Sequence, residues 1–208
     1  MPSAPAPIQS GPEPLREVRE VRSADRLDDA ALVALARQGD RWAEEVMFRR
    51  HARTVARVAH RLLGRRDDID DVVQETFVTA LSDLAKLRDP AALAPWLKGI
   101  AVHAVHRRFR RERLLRWLGF AQAHDEAIEV ASPQLTPELS GELALARRVI
   151  DTLPADERVV WLLRHHEGEG LAEVAALAGC SLATAKRRLA RAEARLAAHV
   201  RAPKESTR

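Results

Sequence analysis

Lys186, Arg187, Arg188, Arg191 and Arg195 crowd one stretch near the end of the chain, opposed there only by Glu193. Guanidinium and ammonium groups at that density neutralise phosphates and hydrogen-bond the edges of guanine. Ser181, Ala183 and Thr184 precede them. These small or polar side chains let the start of a helix come close to a base pair. A second basic block comprises Lys98, Arg107, Arg108, Arg110, Arg111, Arg113 and Arg116, and an acidic one Asp67, Asp68, Asp70, Asp71 and Glu75. Opposite blocks on successive elements suggest two surfaces, the acidic one for a basic protein and the basic one for DNA. Helix-dipole complementarity and solvated faces account for these N-terminal charges about equally well.

Other chemistry finds little support. No nucleophile–base pair, phosphate-binding glycine loop or paired catalytic carboxylates stand out, so no enzyme is indicated. The aspartate cluster resembles a two-metal nuclease site only in composition, and its place at a helix start favours docking or dipole complementarity. His103 and His106 have a chelating i, i+3 spacing but no obvious third ligand. His103 is better placed to hydrogen-bond near nucleic acid, and no metal or other cofactor is called for. Trp96, just after Pro95, suits either the core or stacking on an unpaired base. Cys180 is the sole cysteine, which excludes an internal disulfide and a cysteine-based zinc cluster.

Helices must position these residues. Of 208 residues, 46% are hydrophobic, 31% charged and 4% aromatic, with no Tyr. Ala, Leu, Arg and Glu dominate and strand-forming runs are missing, so the fold class is all-α. The net charge of +4 is modest, so its distribution matters more than its size. No signal peptide or membrane-length apolar run occurs, which predicts a cytoplasmic protein without stable membrane insertion.

Apolar spacing and stop signals predict two small helical domains joined by a flexible linker. Residues 1–26 read as a disordered tail rich in Pro, Ser, Glu and Arg. An N-terminal domain spans 27–118: a helix capped by Asp28 or Asp29, one from about Trp42 to Leu63 stopped by Gly64, one after the acidic cluster to about Leu87, and one from about Leu93 to Leu118. Residues 119–140 change character and form the linker. The C-terminal domain spans 141–201, with helices at about Gly141–Thr152, Ala155–His166, Leu171–Ala178 and Leu182–Val200. Residues 202–208 form a second disordered tail.

The last two helices carry a helix-turn-helix signature. Ala175 is small where the helices must approach, Gly179 permits a turn with positive φ, and Ser181 is placed to cap the next helix. Ala185 and Leu189 fall on the face packing back against Val174 and Ala178. The second helix of such a module enters the major groove with its first turns nearest the bases. The residues leave several functions open: a stand-alone repressor or activator, a recombinase or nuclease with a DNA-binding domain, and a subunit that lends DNA recognition to another enzyme. No small-molecule substrate is indicated.

In order and spacing, DDIDDVVQETFVTAL, PWLKGIAVHAVHRRFRR and the helix-turn-helix resemble the extracytoplasmic-function (ECF) sigma factors of bacterial RNA polymerase over about 28–116 and 142–200. The stretch LPADERVVWLLRHHEGEGLAEVA resembles the family's lead into its second domain. The resemblance implies that the helix with Asp68, Asp71, Val72, Gln74, Glu75 and Phe77 docks on the β′ coiled coil. It implies that the helix with Trp96, Lys98, His103, Arg107, Arg108, Arg110 and Arg111 contacts the downstream promoter box and holds the strands apart. The second domain would bind the β flap and read the upstream box through Ser181, Ala183, Thr184, Lys186, Arg187, Arg188 and Arg191. Core RNA polymerase, promoter DNA and an anti-sigma factor are the implied partners, and polymerase performs the chemistry. The chain departs from the family pattern at His103, where Asn is frequent, at His106, where Asp or another polar residue is, at Ala185, where Val is usual, and at His166, where an aromatic is.

Overall fold

The computed structural model describes residues 27–65, 68–120 and 145–201; the two tails and nearly all of the proposed linker lie outside them. Helix α1 (Asp29–Ala36) begins where the Asp28 carboxylate accepts from the Ala31 amide at 2.8 Å. Helix α2 (Arg41–Leu63) is capped by Asp40, which accepts from the Trp42 amide at 2.9 Å and the Ala43 amide at 3.3 Å. It ends at Gly64, whose φ of 68° lies in the left-handed region that glycine enters without steric cost. Replacing Asp40 with alanine leaves those amide donors unmet and should cost about 1 kcal/mol. Thermal unfolding reads this directly, and an unchanged midpoint would remove the cap from the account.

Helix α3 (Ile69–Asp83) runs into a 3₁₀ turn at Leu84–Lys86, and a second 3₁₀ turn at Pro90–Ala92 leads into α4 (Leu93–Trp117). The sequence reading carries the third helix unbroken to Leu87. The chain instead tightens after Asp83, and the Arg37 side chain donates to the carbonyls of Leu84 and Leu87. Carbonyls left over at a helix end need such a partner, and this one lies 47 to 50 residues away in sequence.

Helices α2, α3 and α4 pack against one another, and α1 lies on α2. Arg50 and His51 of α2 both reach the Asp29 carboxylate, at 2.8 and 3.1 Å, fastening α1. Leu32, Met47, Leu62, Val72, Leu93, Leu97, Val102 and Val105 are fully buried between these helices.

Residues 145–151 are helical. Helix α5 (Ala155–His165), α6 (Leu171–Leu177) and α7 (Leu182–Arg201) follow, with α7 packed against both α5 and α6. Val159, Val160, Leu162, Leu163, Val174 and Ala185 fill this second unit. Helix α4 also packs against α5 and α6, so buried apolar residues of both units join in one connected cluster. No described helix is long and apolar enough to cross a membrane.

Candidate nucleic-acid interface

The turn between α6 and α7 fixes the geometry of the second unit. Gly179 has a φ of 61°, and the Cys180 amide returns to the Ala175 carbonyl at 2.9 Å. The Ser181 hydroxyl accepts from the Thr184 amide at 3.2 Å, closing the first turn of α7. Val174, Ala175 and Ala185 are buried and Leu189 partly so, which turns one face of α7 inward. Ser181, Ala183, Lys186, Arg187 and Arg191 are exposed, and Thr184 is half-buried. Lys186, Arg187 and Arg191 meet no acidic partner among the described residues. Arg188 does, pairing with Asp156 of α5 at 2.5 Å, and Arg195 pairs with Glu157 at 2.9 Å.

Helix α4 presents the other basic face. Phe109 and Ala101 are buried, Arg110 and Arg111 are exposed, and Trp96 is half-buried against the core. Arg107 and Arg108 both clasp the Glu75 carboxylate of α3 at 2.5 Å. The acidic and basic blocks, expected on separate surfaces, therefore meet at this point, because α3 and α4 pack side by side. Burial raises the Glu75 pKa, but the hydrogen bonds and charges of Arg107 and Arg108 outweigh it and hold the carboxyl below its ordinary value.

Three further polar side chains of α4, Lys98, His103 and His106, meet the second unit. Lys98 donates to Glu169, and His106 Nε2 sits 2.6 Å from Asp156 Oδ1. The His103 ring lies against Gly179, where a Cβ would approach its Cε1 to 2.9 Å. Burial first, then the charges of His106 and Arg107, push the His103 imidazole below its ordinary 6.5. The unfolded chain takes up this proton first. The contribution of His103 to stability is therefore full above pH 6.5 and is lost as pH falls from there through the folded-state value. An NMR titration of His103 should give a midpoint below 6.5, and a value at or above it would contradict the packing described. Among the described residues no group of three His, Cys, Asp or Glu side chains converges as a metal site.

On α3, Asp71 and Gln74 are exposed. Val72 and Phe77 are buried, at 0% and 5% exposure, so they sit under the proposed docking face instead of forming it. The helical period explains this: Val72, Val73, Thr76, Phe77 and Ala80 make the inward stripe. Asp68 pairs with Arg65, which also reaches Glu112, and makes no side-chain cap. Sequence reasoning missed the apolar residues left outside, Val78 at 63% exposure and Leu81 at 37% on α3, and Phe48 of α2, whose ring meets Phe77 edge-on. The available signal was an excess of apolar residues over what the inward stripe needs. Asp156, Glu169, Arg147 and Arg158 also went unnoticed, since nothing local marks a residue whose partner lies in the other unit.

Residues 47–114 match Sigma-70 region 2, and residues 143–196 match Sigma-70, region 4. The ECF RNA polymerase sigma factor SigM of Mycobacterium tuberculosis is 34% identical over 171 residues, 81% of this chain and 83% of that protein. The chain belongs to the ECF sigma factors. A second relative, the RNA polymerase sigma factor NccH of Alcaligenes xylosoxydans xylosoxydans, is 33% identical over 82% of this sigma factor and 93% of its own length. Among solved structures, CnrH in complex with the cytosolic domain of CnrY aligns over 85% of this sigma factor and 99% of that chain, at 28% identity and a TM-score of 0.53. The Bartonella quintana sigma factor RpoE, in complex with the anti-sigma factor NepR, shares the fold at 23% identity and a TM-score of 0.53. This sigma factor serves promoter-specific transcription initiation; a free-standing repressor or activator is not the favoured account.

Proposed function

We propose that this sigma factor divides its work between two units, residues 27–118 and 141–201. The first docks on the polymerase β′ subunit through the exposed Asp71 and Gln74 of α3, with Val78 and Leu81 supplying apolar contact. It meets the downstream promoter box with α4, where Trp96, His103, Arg110 and Arg111 face unpaired bases and phosphates. The second engages the β subunit and reads the upstream box in the major groove, with Ser181, Ala183 and Thr184 at the bases and Lys186, Arg187 and Arg191 on phosphates or guanine edges. Phosphate contacts supply affinity that falls with salt, base contacts supply selectivity, and capture of unstacked bases offsets the cost of opening the duplex. Polymerase forms the phosphodiester bonds; the sigma factor catalyses nothing and works in the cytoplasm. An anti-sigma partner that covers these surfaces fits the solved relatives, both of which are complexes with a further protein.

The observation that carries this reading is the helix-turn-helix whose exposed cations Lys186, Arg187 and Arg191 have no acidic partner among the described residues. The test is run-off transcription with purified core polymerase on a pool of genomic fragments. Discrete transcripts that appear only when this protein is added support the proposal. Tight duplex binding without initiation would instead favour a repressor or activator.

A further inference from the structure

The outward face of α4 changes character in its last two turns. Arg110 and Arg111 are followed, one turn on, by Leu114, Trp117 and Leu118, whose i, i+3, i+4 spacing sets them side by side on the exposed surface. Trp117 is 81% exposed and Phe120 73%, the two most exposed large apolar residues among those described. Phe120 does not trail off the helix. Gly119, with a φ of 76°, lets the chain double back, so that the Phe120 amide donates to Leu115 O at 3.0 Å and the Gly119 amide to Arg116 O at 3.2 Å. That pair of bonds closes the helix end and holds Phe120 beside the last turn.

Cations surround this apolar tip. Arg110, Arg111, Arg113 and Arg116 are exposed and meet no acidic partner among the described residues; Arg116 donates only to the Asp151 carbonyl, at 3.3 Å. Glu112, the one acid between them, is engaged by Arg65. Cations at a helix C-terminus complement its dipole, which accounts for Arg113 and Arg116 but not for two bare aromatics and two leucines beside them. We propose that this end of α4 rests on an anionic lipid bilayer, with Leu114, Trp117, Leu118 and Phe120 at the acyl boundary and the arginines on lipid phosphates. Tryptophan suits that boundary because its ring is apolar while its N–H stays wet. One helical turn, about 5.4 Å, separates Arg110 and Arg111 from the apolar residues. An interfacial helix buries its apolar side by about 5–10 Å, so both groups reach their layers at once. A protein partner or a second copy of the chain would need acids placed at four positions around the tip, whereas a sheet of phosphates offers them everywhere. The chain lies on the surface and does not span it. One consequence rests on the reading of α4 as a promoter-contacting helix: Arg110 and Arg111 cannot hold lipid and promoter phosphates together, so an anionic membrane competes with the downstream box.

The test floats the full chain with vesicles of equal phosphatidylglycerol and phosphatidylethanolamine, and with phosphatidylcholine vesicles as the neutral comparison. Partition onto the anionic vesicles should be at least about tenfold stronger and should fall as salt rises. Tryptophan emission should shift to the blue on those vesicles, and the shift should vanish in Trp117→Phe, since Trp42, Trp96 and Trp161 already pack against the core. Trp117→Ser with Phe120→Ser should cut partition by about tenfold or more. Arg113→Gln with Arg116→Gln should cut it about twentyfold, at about fivefold for each arginine near an anionic surface. Lys186→Gln with Arg187→Gln removes the same charge from α7 and should stay within about twofold of the parent. Equal partition onto neutral vesicles, an equal loss in the α7 pair, or a blue shift that survives Trp117→Phe overturns the proposal. So does self-association that Trp117→Ser with Phe120→Ser abolishes while no vesicle floats the protein, which makes a second copy the occupant. If vesicles hold the protein but no promoter-specific transcript forms with core polymerase, the promoter reading of α4 fails and the lipid contact stands. Transcription without flotation leaves the promoter reading and removes the lipid contact.

Discussion

Replacing Lys186, Arg187 and Arg191 together with alanine should weaken upstream-box binding by roughly a hundredfold, at about 1 kcal/mol for each exposed charged contact. The side chains share the outward face of α7, and each meets no acid among the described residues, so nothing internal gains from their removal. A contact to phosphate displaces a condensed counterion, and each one lost flattens the dependence of log affinity on log salt by about 0.9. The triple variant should therefore lose about 2.7 from that slope if all contacts are to phosphate, and less if one of them reads a base edge. Binding is measured with the polymerase holoenzyme on a promoter fragment across a salt series. An unchanged slope would move the DNA off this face. Arg188 is left out because Asp156 already engages it, so its removal mixes lost DNA contact with a freed carboxylate.

Leu97→Ala should destabilise the first unit by about 2–5 kcal/mol, the cost of lost apolar transfer plus an unfilled cavity. Leu97 is 1% exposed on α4, between half-buried Trp96 and Lys98. Against a total stability of about 5–15 kcal/mol, such a loss leaves a large part of the reserve gone and the basic helix poorly held. Downstream-box contacts should fail along with stability, because α4 positions both. Leu114→Ala, on the same helix but 55% exposed, should change stability by less than about 0.5 kcal/mol. Urea unfolding of the two variants side by side makes the comparison, and similar losses would mean that the packing of α4 is not as described.

Amino-acid order alone determined the helical class, the helix-turn-helix and the outward stance of Lys186, Arg187 and Arg191 on α7, whereas Arg188, expected among them, is half-buried against Asp156. Those features are local. The caps at Asp28, Asp40 and Ser181 act over two to three residues, the stop at Gly64 acts on its own backbone angle, and amphipathic stripes repeat within one helix. Resemblance in motif order then carried the family, which the matches to both sigma regions bear out. What the tertiary structure decided is who meets whom. Glu75 faces Arg107 and Arg108, Arg37 finishes the end of α3, and Asp156 stands between His106 and Arg188, across separations of 32 to 50 residues. It also moved Val72 and Phe77 from the docking face into the core and left Val78 outside. A charge on a helix declares its sign in the sequence but not its partner. Partners are fixed by how helices cross, and crossing is set by the shapes of buried side chains contributed by every helix together.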